Sequence, residues 1–224
     1  MMEILEAMKA RHAVRSYIDQ PIPNEVVDQL QSEIDSCNQE SGLHIQLVTG
    51  EPKAFDGMMA HYGKFSGVQN YIALIGEKSS SLEEKLGYYG ERIALRVQML
   101  GLNTCWVAMT FSKGMTKKTC KIRQGEKLVC VLSLGYGATM GVAHRSKPME
   151  ALCQAENPMP DWFKAGMEAA MLAPTATNQQ KFMLTQQGDA VQAKTTGGFY
   201  AKVDLGIVKY HFEMGAGAEN FHWA

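Results

Sequence analysis

The run KLVCVLSLGYG, residues 127–137, does most to limit the folds open to this chain. It is almost continuously apolar, which predicts a strand buried on both faces at the centre of a sheet. Its neighbours are predicted from LHIQLVTG (43–50), VQNYIALIGE (68–77) and NTCWVAM (103–109). Helical spacing marks residues 2–10, with Ile4, Leu5 and Met8 on one face. It marks 25–36 as well, with Asn24 as N-cap and Val26, Val27, Leu30 and Ile34 as the stripe. The clearest helix runs from Leu82 to Leu100, where Ser81 and Glu84 match a capping box. Helices and strands in this order predict an α+β fold, helices packed on a mostly antiparallel sheet.

HRSKPMEALCQAENPMPDW carries Pro148, Pro158 and Pro160 and predicts a boundary, dividing the chain into 1–150 and 151–224. Beyond it come a helix from Asp161, two strands around a Gly188-Asp189 turn, and a last helix over 202–214. Helix 25–36 with strand 43–49 is echoed by helix 161–172 with strand 181–186, and helix 82–100 by 202–214. Few residues are identical, so the repeat is one of pattern.

The formal net charge of −1 gives no global field for nucleic acid or an acidic membrane. Glu3 and Glu6 interrupt the first apolar stretch, unlike a signal peptide, and no run reaches the roughly 18 apolar residues of a membrane span. A soluble protein is expected. Five cysteines without C-x-x-C spacing predict buried, reduced thiols and a cytoplasmic setting. Six scattered histidines predict no metal site.

Three stretches could carry chemistry. ARHAVRSY (10–17) gathers Arg11, His12 and Arg15. It reads either as a charged helix end complementing the dipole or as a phosphate grip, since guanidinium forks match phosphate oxygens. HRSKP (144–148) is a second basic cluster, either a solvated loop or a partner to the first. LAPTATNQQKF (172–182) is either a helix stop or a loop offering amides and hydroxyls to a flat polar ligand. Taken from the residues alone, these alternatives stay open.

Jointly, R11-H-A-V-R15-S-Y17, G101-L-N-T-C-W106, L134-G-Y136, R145-S-K-P148 and A173-P-T-A-T-N-Q-Q180 resemble the nitroreductase family of flavin enzymes. The resemblance implies FMN, bound non-covalently. Arg11, His12, Ala13, Arg15, Arg145 and Lys147 would hold its phosphate, Lys64 would lie near the pyrimidine edge, and Ala108 and Met109 near the ring and N5. It also implies hydride transfer from NAD(P)H, through flavin N5, to a nitroaromatic, a quinone or a similar acceptor, with no catalytic side chain required. A protein that binds FMN without turnover is the alternative.

One departure from the family pattern is informative. The family's P-S-x-x-N-x-Q loop follows the helix after the arginine arm, but here that place holds DSCNQESG (35–42). The matching loop comes at 174–180, so Pro174, Thr175, Ala176 and Asn178 would contact the flavin from the second half. The chain thus resembles fused nitroreductase-like proteins, an internal pseudo-dimer with one site. It would act as a monomer or a weak homo-oligomer.

Overall fold

The computed structural model describes residues 2–224. In order, the first elements are α1 (Ile4–Ala10), α2 (Asn24–Ser41), β1 (Gln46–Val48), α3 (Met58–Tyr62), β2 (Asn70–Glu77), α4 (Leu82–Met99), β3 (Asn103–Val107), α5 (Lys113–Thr119) and β4 (Glu126–Gly135). After them come β5 (Cys153–Gln154), α6 (Asp161–Ala170), β6 (Phe182–Gln187), β7 (Ala190–Thr195), α7 (Ala201–Ala216) and β8 (His222–Trp223).

The apolar run forms β4, which lies between β2 and β3 in an antiparallel sheet of order β1-β2-β4-β3. Residues 128–135 are buried throughout, as a strand covered on both faces requires. One layer against this sheet gathers Val14, Tyr17, Phe55, Phe65, Phe111, Ala73, Ile75, Cys105 and Val131. The second sheet has order β5-β6-β7-β8. Its centre is the antiparallel β6–β7 hairpin, turned at Gly188 with φ +60°, and β5 and β8 join its two sides in parallel.

Prolines, rather than the polar residues beside them, open two helices. Pro23 and Pro160 are the N-caps of α2 and α6, both extended (φ −58°, ψ 145° and φ −62°, ψ 142°). A proline ring fixes φ near that value, and the cap carbonyl accepts the first helical bond, here from Val26 and Val27 and from Lys164. Asn24 and Asp161 therefore stand one residue inside their helices and are not caps. The expected capping box of α4 is also absent: Ser81 is itself helical (φ −96°, ψ −7°) and makes no cap bond, its hydroxyl lying 3.3 Å from Ser79 Oγ.

The chain forms two compact units. One comprises 10–82 and 93–143; the other comprises 1–9, 83–92 and 144–224. These units differ from the expected 1–150 and 151–224 segments by the transfer of 1–9, 83–92 and 144–150. The first half of α4 belongs with the C-terminal stretch because Gly87 and Gly206 let α4 and α7 meet backbone to backbone; a Cβ on Gly206 would strike Glu84 O. A similar approach joins α6 to α7, with Gly166 against Phe212 and Gly215 against Ala165. Trp162, Phe163, Phe212, Phe221 and Trp223 pack edge to face or stacked around that contact.

With the short α3 between β1 and β2 set aside, the order helix, strand, strand, helix, strand occurs twice, as α2-β1-β2-α4-β3 and α6-β6-β7-α7-β8. In each copy a proline caps the first helix and the first two strands pair antiparallel.

Candidate functional site

α1 ends at Ala10, so Arg11, His12 and Arg15 lie beyond it and are not a charged helix end. Residues 13–17 run extended because three strangers to each other in sequence hold them. Ala13 bridges Thr104 of β3, Ser16 bridges Ser66, and Tyr17 bridges Gly137 after β4. Val14 N–H donates to Thr104 O, Tyr17 N–H to Ser66 O and Ile18 N–H to Tyr136 O, all at 3.0 Å. The return bonds Ser66 N–H to Arg15 O (3.0 Å) and Ala138 N–H to Ser16 O (2.8 Å) complete the clamp. Two glycines permit the close approach: a Cβ on Gly67 would strike Tyr17 O, and one on Gly141 would lie 2.8 Å from His12 Cβ.

This clamp fixes the backbone from which the arm's side chains project in the 10–82 and 93–143 unit. Arg15 is exposed and its guanidinium carbon stands 5.9 Å from the centre of the Phe65 ring. Arg11 is buried at 5% exposure, and both arginines lie close enough to Cys105 to oppose the upward shift that burial gives its thiol, Arg15 more strongly. Lys64, next to Phe65, is exposed and held at φ +59°, a strained conformation for a lysine. The chain before it packs tightly on the stretch after β3, because a Cβ on Gly63 would lie 2.6 Å from Thr110 Cβ. Half-buried Ala108 and exposed Met109 precede Thr110. His12 Nδ1 faces Met140 O at 3.3 Å. Arg11, His12, Ala13, Arg15, Lys64, Ala108 and Met109 thus all lie in one unit.

The remaining expected residues lie in the other unit, where the basic cluster and the amide loop are zipped together. Asn178 Nδ2 and Gln180 Nε2 both donate to Arg145 O at 2.9 Å. Lys147 N–H donates to Gln180 Oε1 at 2.8 Å, and its ammonium to the carbonyls of Gln179 and Gln180 at 2.8 and 3.0 Å. His144 Nε2 and Ser146 Oγ approach Met171 O at 3.0 and 3.1 Å. Much of the hydrogen-bonding capacity of Lys147 and Asn178 is therefore spent on shaping the loop, while the side chain of Arg145 stays exposed.

The loop is strained. Thr177, Asn178 and Gln180 sit at φ +50°, +56° and +45°. For a β-branched threonine that is an outlier, maintained only where surroundings over-determine it. Asp204 of α7 supplies much of that determination, with Oδ1 accepting from Ala176 N–H at 2.9 Å and Oδ2 from Gln179 Nε2 at 2.8 Å. Burial pushes its carboxyl up to about 6, against the pull of the Gln179 and Ala176 bonds. Asp204 escapes sequence reading; its only signal is a lone acid in the otherwise apolar stretch VDLGIV. Among the described residues no three metal-ligating side chains come together, and no helix is long and apolar enough to cross a membrane.

The family model described as "Putative TM nitroreductase" matches residues 3–216. The chain belongs to this nitroreductase family. It is similar in structure to a "putative nitroreductase" from Thermotoga maritima, with TM-score 0.65 and 22% identity, over 96% of this chain and 83% of that one. A "putative NADH dehydrogenase/NAD(P)H nitroreductase" from Bacteroides thetaiotaomicron matches with TM-score 0.54 and 18% identity, over 66% of this chain and 95% of that one. A "putative nitroreductase in complex with FMN" from Desulfovibrio desulfuricans matches with TM-score 0.54 and 14% identity, over 66% and 94%. No curated protein matches the chain. These likenesses establish the nitroreductase fold.

Proposed function

We propose that this nitroreductase is an FMN-dependent oxidoreductase that takes hydride from NAD(P)H and passes it to a nitroaromatic, quinone or similar small acceptor. The observation that carries the reading is the clamped arm. Its backbone is fixed by bonds to three separate segments, and among the described residues the exposed Arg15 makes no ion pair. A pre-positioned guanidinium pair suits a phosphate dianion, so the residues fit the group.

Arg11 and Arg15, with His12 and the exposed backbone of Ala13, would hold the phosphate. Lys64 would place a positive charge at the pyrimidine edge. Ala108 and Met109 would border the ring. The loop residues Pro174, Thr175, Ala176 and Asn178 are proposed as the second half's contribution, and Arg145 and Lys147 as further phosphate contacts. When bound, FMN supplies two-electron chemistry between a reduced nicotinamide and the acceptor. The relatives named for FMN and for NAD(P)H support this reading. The helix-strand-strand-helix-strand order, interrupted by α3 in its first copy, supports an internal pseudo-dimer. Five buried free thiols suit a reducing cytoplasm.

The test is the visible spectrum of the protein as purified, and again after FMN is added and the excess removed. One flavin per chain, followed by acceptor-dependent NAD(P)H oxidation, is expected. Retained flavin without turnover would leave a flavin-binding protein, and a protein that keeps no flavin would end the proposal.

A further inference from the structure

A second concentration of positive charge lies in the same unit as the arm, at the far end of the sheet. Residues 113–127 (KGMTKKTCKIRQGEK) hold six basic side chains and a single acid, in a chain whose net charge is −1. The fold makes a concave surface of them. A cavity of about 560 Å³ is lined by Lys78, Lys117, Cys120, Lys121, Lys127 and Glu126, with Ile122 and Leu128 as apolar floor.

Three contacts build it. Lys78 N–H donates to Gly125 O (3.1 Å), so the turn after α5, with Gly125 at φ +89°, brings the end of β2 beside the start of β4. Gln46 of β1 grips Lys121 at both ends, Nε2 donating to its carbonyl at 2.8 Å and Oε1 accepting its N–H at 2.9 Å. Glu126 is committed elsewhere. It accepts from Arg123 N–H at 2.7 Å and faces His44 Nδ1 at 3.0 Å, and these bonds and charges hold its carboxyl below the usual range despite the upward push of burial. Its carboxylate offsets one positive charge, and a lining of four lysines and one acid keeps a positive excess.

The cationic side chains of Lys78, Lys117 and Lys121 around one hollow repel each other, and the low-dielectric floor focuses their field into it. The volume lies within the range of small-molecule sites, roughly 300–1,000 Å³. We infer that this cavity is a binding site for a small phosphorylated ligand carrying two or more negative charges, separate from the arginine arm. The separation follows from register: Glu77 pairs with Glu126 at the cavity end of the β2–β4 ladder, and Asn70 with Leu134 at the other. Seven residue steps divide those pairs, about 23 Å at the rise of an extended strand, and the arm crosses beyond the second. The concavity selects a compact polyanion over a nucleic-acid strand, which would need an extended groove.

Titration calorimetry with inorganic pyrophosphate at constant ionic strength, on protein saturated with FMN so that the arm is filled, tests the inference. One saturable site per chain is expected, weakened at least tenfold in Lys117→Gln/Lys121→Gln and retained in Lys117→Arg/Lys121→Arg. Both substitutions are at exposed positions, so folding should survive, and a circular dichroism melt checks it. Arg15→Gln should leave pyrophosphate binding unchanged. Loss of binding in Arg15→Gln but not in the glutamine pair would place the anion on the arm and overturn the inference. Absence of saturation below about 1 mM, or tighter binding of a single-stranded oligonucleotide with none of pyrophosphate, would overturn it too.

Discussion

The phenol oxygen of Tyr17 lies 2.7 Å from Ser133 Oγ, deep under the arm, and donates to Val14 O at 2.7 Å. One buried hydroxyl thus ties the arm's path to the central strand. Burial holds the phenol well above its ordinary titration range, so it stays a neutral donor at every working pH. Tyr17→Phe keeps the ring but takes the phenol from Val14 O and leaves Ser133 Oγ with only its 3.5 Å bond to Cys105 O. The expected cost is about 1–3 kcal/mol, the usual penalty for buried groups left unsatisfied. Urea unfolding measures it. Retention of FMN should fall in the same variant because Arg15 would lose its fixed register. A stable Tyr17→Phe protein with unchanged flavin affinity would show that the clamp's backbone bonds suffice.

Glycine at 87 and 206 is a packing requirement, whereas glycine at 114 is not. A Cβ on Gly87 would strike Val203 O, and one on Gly206 would meet Glu84 O and lie 2.7 Å from Tyr88 N. Backbone cannot step aside as a side-chain tip can. Either alanine variant should cost about 2–3 kcal/mol by overpacking, and disturb the 2.5 Å pair of Lys209 with Glu84. Gly114, inside α5 with open space around it, should gain about 0.5–1 kcal/mol as alanine through reduced chain entropy. Thermal melts of the three variants test the contrast. Equal shifts in all three would remove the packing argument.

Asp204 makes a signed prediction for pH. Its carboxyl titrates near 6 in the folded chain, against 3.8 ordinarily, because burial disfavours the charge. A folded value above the unfolded one means its contribution is whole below pH 4 and is lost as pH rises to 6. The shift of about two units corresponds to roughly 3 kcal/mol. The difference in unfolding free energy between wild type and Asp204→Asn should therefore change across pH 4–6, in favour of Asn as pH rises, and be flat above 7. Subtracting the two curves cancels other carboxylates, including Glu126, which shifts in the opposite direction. A flat difference from pH 3 to 8 would mean that Asp204 does not titrate as its surroundings dictate.

How much of this was legible in sequence depended on whether the signal was local. β4 and α4 were readable because burial on both faces, and helical spacing over eighteen residues, leave their mark in the residues themselves. The five buried cysteines followed from their apolar neighbours. The helix caps were misassigned because Asn24, Ser81 and Asp161 are good cap residues by type, while the prolines beside two of them already had the dihedral angles. α5 passed unnoticed because KGMTKKT has no apolar stripe; it is held by Ser112 Oγ, which accepts Met115 N–H at 3.3 Å, and by packing on the 52–54 turn. The arm's extended path comes from Thr104, Ser66 and Gly137, and the zipping of Lys147 to Gln180 spans 33 residues. No window along the chain contains either.

His211 and Glu91 offer the sharpest test of what buried polarity does in this fold. Both side chains have no exposure, and His211 Nε2 stands 3.0 Å from Glu91 Oε1. His211 Nδ1 faces Ala169 O, also at 3.0 Å, and a carbonyl can only accept, so that nitrogen carries a proton. Nε2 and the carboxylate then share the remaining proton, as an imidazolium-carboxylate pair or its neutral equivalent. Breaking such a pair leaves one polar group buried without its partner, which costs about 3–5 kcal/mol, whereas replacing both with apolar groups of similar volume is often neutral or stabilising. Glu91→Leu and His211→Phe should each lower the urea midpoint sharply. The double variant should recover most of that loss, with the slope of the transition unchanged. Additive losses in the double variant would mean that each residue stabilises the protein through contacts of its own rather than through the other.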